Sequence, residues 1–324
     1  MPRSTLSYQR LIRKAYTFKK LTRVFTGETS HCGGNMKSGV MLGGNIFGYF
    51  TDYSQTKEML DFSFEHGIRA IDTSDSYSDG VSEDFIGRSI LGSRREWFIA
   101  TKAGLRSGES PNGLGRRERL ISKVQASLVR LRTDIIDLYQ LHNYDPVTPL
   151  DETVEAFEEM IKRGYIRGAG VCNFVRSNAF GHVQFKPHII GYMQEPVNIT
   201  LNNDWLKQHN TGKVLAYAVL NRGLLNEKYI TGMPLSSRAS LSKSISRELT
   251  PSYLSSLESC QMICRSHGTD LVSVALHYVL NMSEVWMAIV GARSKSQLMD
   301  LSLRIRQNVP SGAVDACRAV FARL

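Results

Sequence analysis

The 324-residue chain has no apolar run approaching the roughly 20 residues needed to cross a bilayer, so no membrane association and a soluble protein are expected. With only 9 prolines and 26 glycines, it is neither collagen-like nor dominated by linkers. Cysteine is also sparse. Cys32, Cys172, Cys260, Cys264 and Cys317 are odd in number and scattered, which is no disulfide framework and points to a reducing, cytoplasmic setting. Cys260, Cys264 and His267 have metal-like spacing, but they sit in SSLESCQMICRSHG, which reads as one amphipathic helix with no fourth ligand in view; no metal is expected. Acidic residues are missing altogether from residues 1–27, where Arg3, Arg10, Arg13, Lys14, Lys19, Lys20 and Arg23 account for the difference between the overall net charge of +10 and +3 for the remainder. A surface of +3 is ordinary, so nucleic acid is not the expected partner. The stretch has no continuous apolar core, which excludes a secretory signal. Its Arg-rich, hydroxylated, acid-free character permits a transit-type peptide, although a basic extension or a start codon placed too far upstream explains it more simply. Residues 1–30 are taken as that extension and 31–324 as the folded domain.

What remains is a globular composition, 42% hydrophobic and 22% charged, arranged as a regular alternation. Short β-rich runs recur as GVMLGG (38–43), IRAID (68–72), WFIAT (97–101), IIDLYQL (135–141), IRGAGVC (166–172), HIIGYMQ (188–194), VLAYAVL (214–220) and VWMAIV (285–290). Between most of them lie helical patterns such as QTKEMLDFSFEHG, SEDFIGRSILG, RRERLISKVQASLVRLR, PLDETVEAFEEMIKRG and DLVSVALHYVL. Strands separated by helices pair in parallel, because the crossover returns the chain to the same edge. No G-x-G-x-x-G follows the first strand, since LGGNIFG has other spacing and opens no helix, so a Rossmann domain is disfavoured. Eight β/α units predict an α/β fold, a closed (β/α)8 TIM barrel in one domain. The polar, Ser-rich connection 221–251 interrupts it after the seventh strand, where a phosphate-binding or lid-like loop would be useful.

In such a barrel the functional side chains gather at the C-terminal strand ends. Read in order, those ends present Asp72, then Tyr77 in the loop TSDSYSDG, then Thr101 and Lys102, then Gln140, Leu141 and His142, then Cys172 and Asn173, then Gln194. A carboxylate that holds an ammonium beside a phenol is expected to lower the phenol's pKa, and an imidazole nearby can orient a carbonyl oxygen or share a proton. Taken singly, each of these residues has an ordinary explanation: a cap, a surface lysine, a hydrogen-bonded histidine. Their joint occurrence at successive strand ends is what points to proton-coupled hydride chemistry on a carbonyl.

From about residue 38 the chain resembles the aldo-keto reductase superfamily. GIRAIDTSDSYSDGVSEDFIGRSI is close to the signature G-x-R-x-I-D-T-A-x-x-Y-G-x-x-E-x-x-x-G, and FIATKAG, ASLVRLRTDIIDLYQLH and IRGAGVCNF follow in the family's order. The resemblance implies a barrel that binds NADP(H) at its C-terminal face and reduces an aldehyde, ketone or keto-sugar. It implies Tyr77 as general acid, Lys102 and Asp72 tuning it, and His142 positioning the carbonyl oxygen. Asn173 and Gln194 would hold the nicotinamide carboxamide, assisted by Cys172 where the family usually has serine. Tyr217 would stack on the nicotinamide with Leu220 beside it. VGARSKSQLMD resembles the adenosine-phosphate site, with Gly291 at the usual lysine position, Arg293 and Ser294 toward a 2′-phosphate, and Gln297 and Asp300 near the adenine. Ala218 and Val219 replace the usual Ser-Pro, and Leu301 replaces a common asparagine. The preference for NADPH therefore rests largely on Arg293, whose guanidinium donates two hydrogen bonds at once. Phe47, Tyr49, Phe50, Leu105, Asn143 and Tyr144 are expected around a small-molecule, sugar-like substrate. The opposing reading within the family is a cofactor-binding regulatory subunit with little turnover, similar to potassium-channel β subunits.

Overall fold

The computed structural model describes residues 39–175, 189–208, 213–235 and 237–324; the expected extension over 1–30, the boundary at 31 and Cys32 lie outside the described residues. Each of the eight apolar runs contains a strand: β1 (Gly39–Gly43), β2 (Ala70–Asp72), β3 (Phe98–Ala103), β4 (Leu138–Leu141), β5 (Ala169–Cys172), β6 (Ile190–Pro196), β7 (Lys213–Tyr217) and β8 (Val285–Val290). They pair in parallel in chain order, and β8 returns to β1 to close the barrel. The seventh run is shorter at its C-terminal end than its apolar character predicts. Ala218 adopts φ 53°, a left-handed conformation that ends β7 at Tyr217 and turns the chain away.

The period-two alternation of β3 sorts its side chains. Phe98 and Ala100 belong to the packed interior with Met41, Ala70, Leu138, Leu215, Met287 and Ile289, and Lys102 continues that inward row. Ile99 and Ala103 belong to the layer between strands and helices, with Thr101 on the same outward row. Among the described residues, eight helices of nine residues or more surround the barrel: α1 (Tyr53–Glu65), α2 (Val81–Ser89), α3 (Arg117–Leu131), α4 (Leu150–Lys162), α5 (Pro251–Ser266), α6 (Leu271–Leu280), α7 (Lys295–Ile305) and α8 (Ser311–Phe321). Their starts follow from capping chemistry. Asp52 and Gln55 form a reciprocal capping box at α1, and Thr250 followed by Pro251 opens α5. Gly87 lets α2 press on α3: a Cβ there would fall 2.4 Å from the Arg130 carbonyl oxygen. Every residue of α6 is buried, as its apolar circumference requires. Cys260 and Cys264 of α5 pack against Cys317 of α8, with Cys264 Sγ and Cys317 Sγ 3.8 Å apart, and His267 closes the α5 C-terminus. The 221–251 connection carries short helical turns at Asn221–Gly223, Glu227–Tyr229, Arg238–Leu241 and Lys243–Ser246. Among the described residues no helix is long and apolar enough to cross a membrane.

Candidate active site

Asp72, Lys102, Gln140 and Gln194 form one hydrogen-bonded cluster in the barrel interior. Asp72 lies opposite Ala100, Lys102 opposite Gln140, and Cys172 opposite Gln194. The Lys102 ammonium is 1% exposed and donates to Asp72 Oδ1 at 2.8 Å, Asp72 Oδ2 at 2.9 Å and the Thr73 carbonyl at 2.7 Å. All three of its protons thus have acceptors, the condition under which a buried cation is tolerated. Burial opposes its charge most, yet Asp72, then Tyr77 and Cys172, together hold its pKa above the ordinary lysine value. Asp72 is tied further into the interior: Gln194 Nε2 donates to its Oδ1 at 3.1 Å, and Gln140 Nε2 donates to Gln194 Oε1 at 3.1 Å.

Above this pair stands Tyr77, whose ring centroid lies 5.0 Å from Lys102 Nζ and 5.7 Å from the His142 ring, nearly perpendicular to it. The chain reverses immediately after the phenol through three consecutive left-handed residues: Ser78 at φ 50°, Asp79 at 52° and Gly80 at 95°. Two of these are not glycine, so strain of about 1–3 kcal/mol each is concentrated next to Tyr77. Surrounding bonds hold the turn. Ser78 Oγ donates to the Phe47 carbonyl at 2.9 Å, and Asp79 accepts from Ser107 N at 2.9 Å and Ser107 Oγ at 2.7 Å.

The electrostatics differ from the expectation at one point. Burial dominates at Tyr77 and, with Asp72 and Cys172 acting the same way, outweighs the Lys102 ammonium, so the phenol is pushed up to about 12 instead of down. It therefore keeps its proton across the neutral range. His142 is driven down to about 3, first by burial and then by the Lys102 charge, so its imidazole is neutral. Its Nδ1 lies 3.1 Å from Ser74 Oγ and 3.4 Å from Ser76 Oγ. The assembly is a protonated phenol and a neutral imidazole over a fixed cation, able to donate hydrogen bonds to an oxygen that gains negative charge.

The remaining candidates fall into groups. Asn173, at φ 63°, accepts from the Tyr217 hydroxyl at 2.5 Å and donates to the His142 carbonyl at 3.0 Å and to Asn143 Oδ1 at 3.2 Å, so Asn143, Asn173 and Tyr217 form one cluster with the histidine strand end. Cys172 is 2% exposed, and burial pushes its thiol well up. Leu220 is half-buried and turns the chain, its carbonyl accepting from Gly223 N at 2.8 Å. On the opposite side Gly291, Ser294, Gln297 and Asp300 are exposed at the start of α7. Ser294 caps that helix by accepting from Gln297 N at 3.2 Å, while Gln297 Oε1 accepts from Arg293 N at 2.8 Å. Asp300 pairs with Arg304 along the helix surface, and Leu301 is buried. The Arg293 guanidinium lies 4.4 Å over the Phe50 ring, and Tyr49 packs edge-on against Phe50. Tyr49 is 75% exposed, whereas Phe47 has no exposed surface and belongs to the core. Leu105 and Asn143 are exposed, and Tyr144 packs on Phe174.

Periodicity and motif spacing do not single out the cations that gather around Arg293. The pKa of Lys228 is lowered by burial and then by Arg293, and that of Arg238 by burial, then Arg293 and Arg222, which places these groups in one electrostatic field. Arg222 also pairs with Glu248. Such a concentration of cations suits an anionic ligand, and three of its members, Arg222, Lys228 and Arg238, come from the interrupting 221–251 segment. Its basic, Ser-rich composition was the only available signal.

Comparison with known proteins converges on one family. The model of the "Aldo/keto reductase family" matches residues 39–311. The aldo-keto reductase YhdN of Bacillus subtilis (strain 168) is 31% identical over 277 residues, 81% of each chain. A putative voltage-gated potassium channel subunit beta of Schizosaccharomyces pombe is 29% identical over 269 residues, 77% of this chain and 78% of that protein. Among solved structures, the glycerol dehydrogenase AKR11B4 of Gluconobacter oxydans superposes with a TM-score of 0.69 at 26% identity, covering 88% of this chain and 91% of its own. The holo form of AKR11C1 from Bacillus halodurans gives 0.67 at 25% identity, covering 87% and 91%.

Proposed function

The chain belongs to the aldo/keto reductase family, and from that membership and the site we propose that it is an NADPH-dependent oxidoreductase acting on the carbonyl of a small aldehyde, ketone or keto-sugar. One observation carries the reading: Tyr77, His142 and the Asp72-held Lys102 ammonium share one polar cluster at the barrel mouth, with the phenol protonated and the imidazole neutral. The residues present suit a dinucleotide. Asn173 and Gln194 supply amides for a carboxamide, Tyr217 supplies a flat ring beside them, and Arg293 with Lys228, Arg238 and the capped start of α7 supplies cations and N–H groups for phosphates. When bound, the nicotinamide supplies the hydride. His142 orients the carbonyl oxygen and Tyr77 gives it the phenol proton as negative charge develops there. Lys102 then stabilises the phenolate left behind, and Asp72 keeps that ammonium in place. The same groups serve alcohol oxidation in reverse.

Phe50, Leu105 and Asn143 border the mouth, and Tyr49 adds an exposed ring able to lie on a sugar face. Residues 1–30 are a basic extension outside the barrel domain, in keeping with a family match that begins at residue 39. The setting is cytoplasmic, in keeping with the unpaired thiols of Cys172, Cys260, Cys264 and Cys317.

A cofactor-oxidation screen over aldehydes, ketoses and keto-sugars, run with NADPH and NADH in parallel, tests the reading. Turnover with NADPH on at least one carbonyl is expected. The potassium-channel relative supports a second reading, a regulatory subunit, which tight cofactor binding with negligible turnover on every compound would favour.

A further inference from the structure

We propose that Ser74, backed by Ser76, is the positioning residue that fixes the His142 ring in one tautomer, with the proton on Nε2; this deepens the reductase reading, because that tautomer is the one that presents a donor to a carbonyl oxygen. Ser74 stands where the signature has alanine, and it is completely buried. Its Oγ accepts from Ser76 N at 3.2 Å and lies 2.9 Å from Ser76 Oγ and 3.1 Å from His142 Nδ1. The hydroxyl has one proton and four acceptors in range: Ser76 Oγ, His142 Nδ1, the Lys102 carbonyl at 3.3 Å and Asp75 Oδ1 at 3.5 Å. The last two are already served, the Lys102 carbonyl by Asp75 N at 3.2 Å and Asp75 Oδ1 by Gly104 N at 2.6 Å. Ser76 Oγ is the nearest, but among the described residues the Ser76 hydroxyl has only Ser74 Oγ and His142 Nδ1 to donate to, and only Ser74 and Ser76 reach Nδ1.

The relay that gives both hydroxyl protons an acceptor therefore runs from the Ser76 hydroxyl to Ser74 Oγ and from the Ser74 hydroxyl to Nδ1, which leaves the ring proton on Nε2. Space for this seat depends on Gly104, where a Cβ would fall 2.5 Å from Ser76 Oγ and 2.7 Å from His142 Nδ1. Donation to Nδ1 also competes with protonation there, so the serine pair and the buried cation both keep the ring neutral.

The test is a 15N spectrum of histidine-labelled protein, with the His142 ring signals assigned by their loss in His142→Asn. An unprotonated Nδ1 and a protonated Nε2 are expected in the wild type. In Ser74→Ala the two nitrogens shift toward a tautomer mixture and the ring takes up its proton at higher pH. With the best carbonyl of the screen, kcat falls about tenfold while cofactor affinity holds, the scale of one lost hydrogen bond. A wild-type ring carrying its proton on Nδ1 would overturn the assignment, as would a Ser74→Ala variant with an unchanged tautomer and unchanged kcat. If that variant does not fold, the wild-type spectrum decides alone. A complete lack of turnover would remove the reductase reading but not the spectral answer, so the two can fail separately.

Discussion

Two sets of buried charges lie on opposite sides of the same strands. Inside the barrel, Asp72 holds Lys102; outside it, Asp75 pairs with Lys123, and Glu83 pairs with Arg130. The outer carboxylates are closed on every oxygen. Asp75 accepts from Gly104 N at 2.6 Å and Lys123 Nζ at 2.9 Å, while Glu83 accepts from Thr101 Oγ1 at 2.5 Å and Arg130 Nε at 2.7 Å. The inner cation is just as fully bonded, but it also faces a phenol ring and, beyond it, the mouth of the barrel. Burial of charge alone does not mark chemistry. What separates the sets is that the inner one lies beside the Tyr77 phenol, which in turn meets the His142 ring, the two groups proposed to face the reacting oxygen. The outer set ties β2 and β3 to α2 and α3, and so fixes the frame on which the inner one is mounted.

The comparison can be broken from either side. Lys102→Met should reduce turnover by about a thousandfold in steady-state assays, because the phenolate loses its counter-charge. A variant that retained most of its kcat would place the inner pair with the scaffold. Arg130→Met leaves Glu83 buried without its cation, and denaturant unfolding should show a loss of about 3–5 kcal/mol while kcat per folded molecule stays within a few-fold. A large fall in kcat with stability intact would assign the outer set a part in the reaction.

His142 connects the two through pH. Its imidazole titrates at about 3 in the folded protein against about 6.5 when unfolded, so between those values the unfolded chain holds the extra proton. The contribution is fully present above pH 6.5 and is lost as the pH falls toward 3. At about pH 4.5 the loss should be about 2–3 kcal/mol, and His142→Asn should remove that part of the slope in unfolding midpoints measured at pH 7 and 4.5. An identical slope in the variant would show that the ring is not held neutral. The smallest effect is expected at the rim: Arg293→Ala should weaken NADPH about tenfold and leave NADH nearly unchanged in fluorescence titrations. Equal losses for both cofactors would remove the arginine from 2′-phosphate discrimination.

Much of the barrel was legible because its signal is local. Eight β-rich runs and the helices between them have the two periodicities that parallel strands and surface helices require, and strand ends point to the mouth whatever the loops do. The inner set could be read for the same reason, since Asp72, Lys102 and His142 each stand at a strand end or within one residue of it. The outer set could not. Glu83, Lys123 and Arg130 look like ordinary helix charges in SEDFIGRS and RRERLISKVQASLVRLR, and only packing of α2 on α3 at Gly87 reveals their burial. The direction of the Tyr77 shift was equally out of reach: proximity to an ammonium can be read from motif order, whereas the burial that overrides it cannot. Phe47 illustrates the same limit, because an aromatic in LGGNIFG reads as a wall of the pocket until its complete burial is seen.

The most direct test of the central claim, that the Tyr77 phenol delivers the proton, is the single-turnover rate of Tyr77→Phe with saturating NADPH and the best carbonyl substrate, alongside its cofactor affinity. The account predicts a rate lower by on the order of a thousandfold, with the NADPH Kd within about threefold of wild type. A variant that reduces the carbonyl at close to the wild-type rate would contradict it.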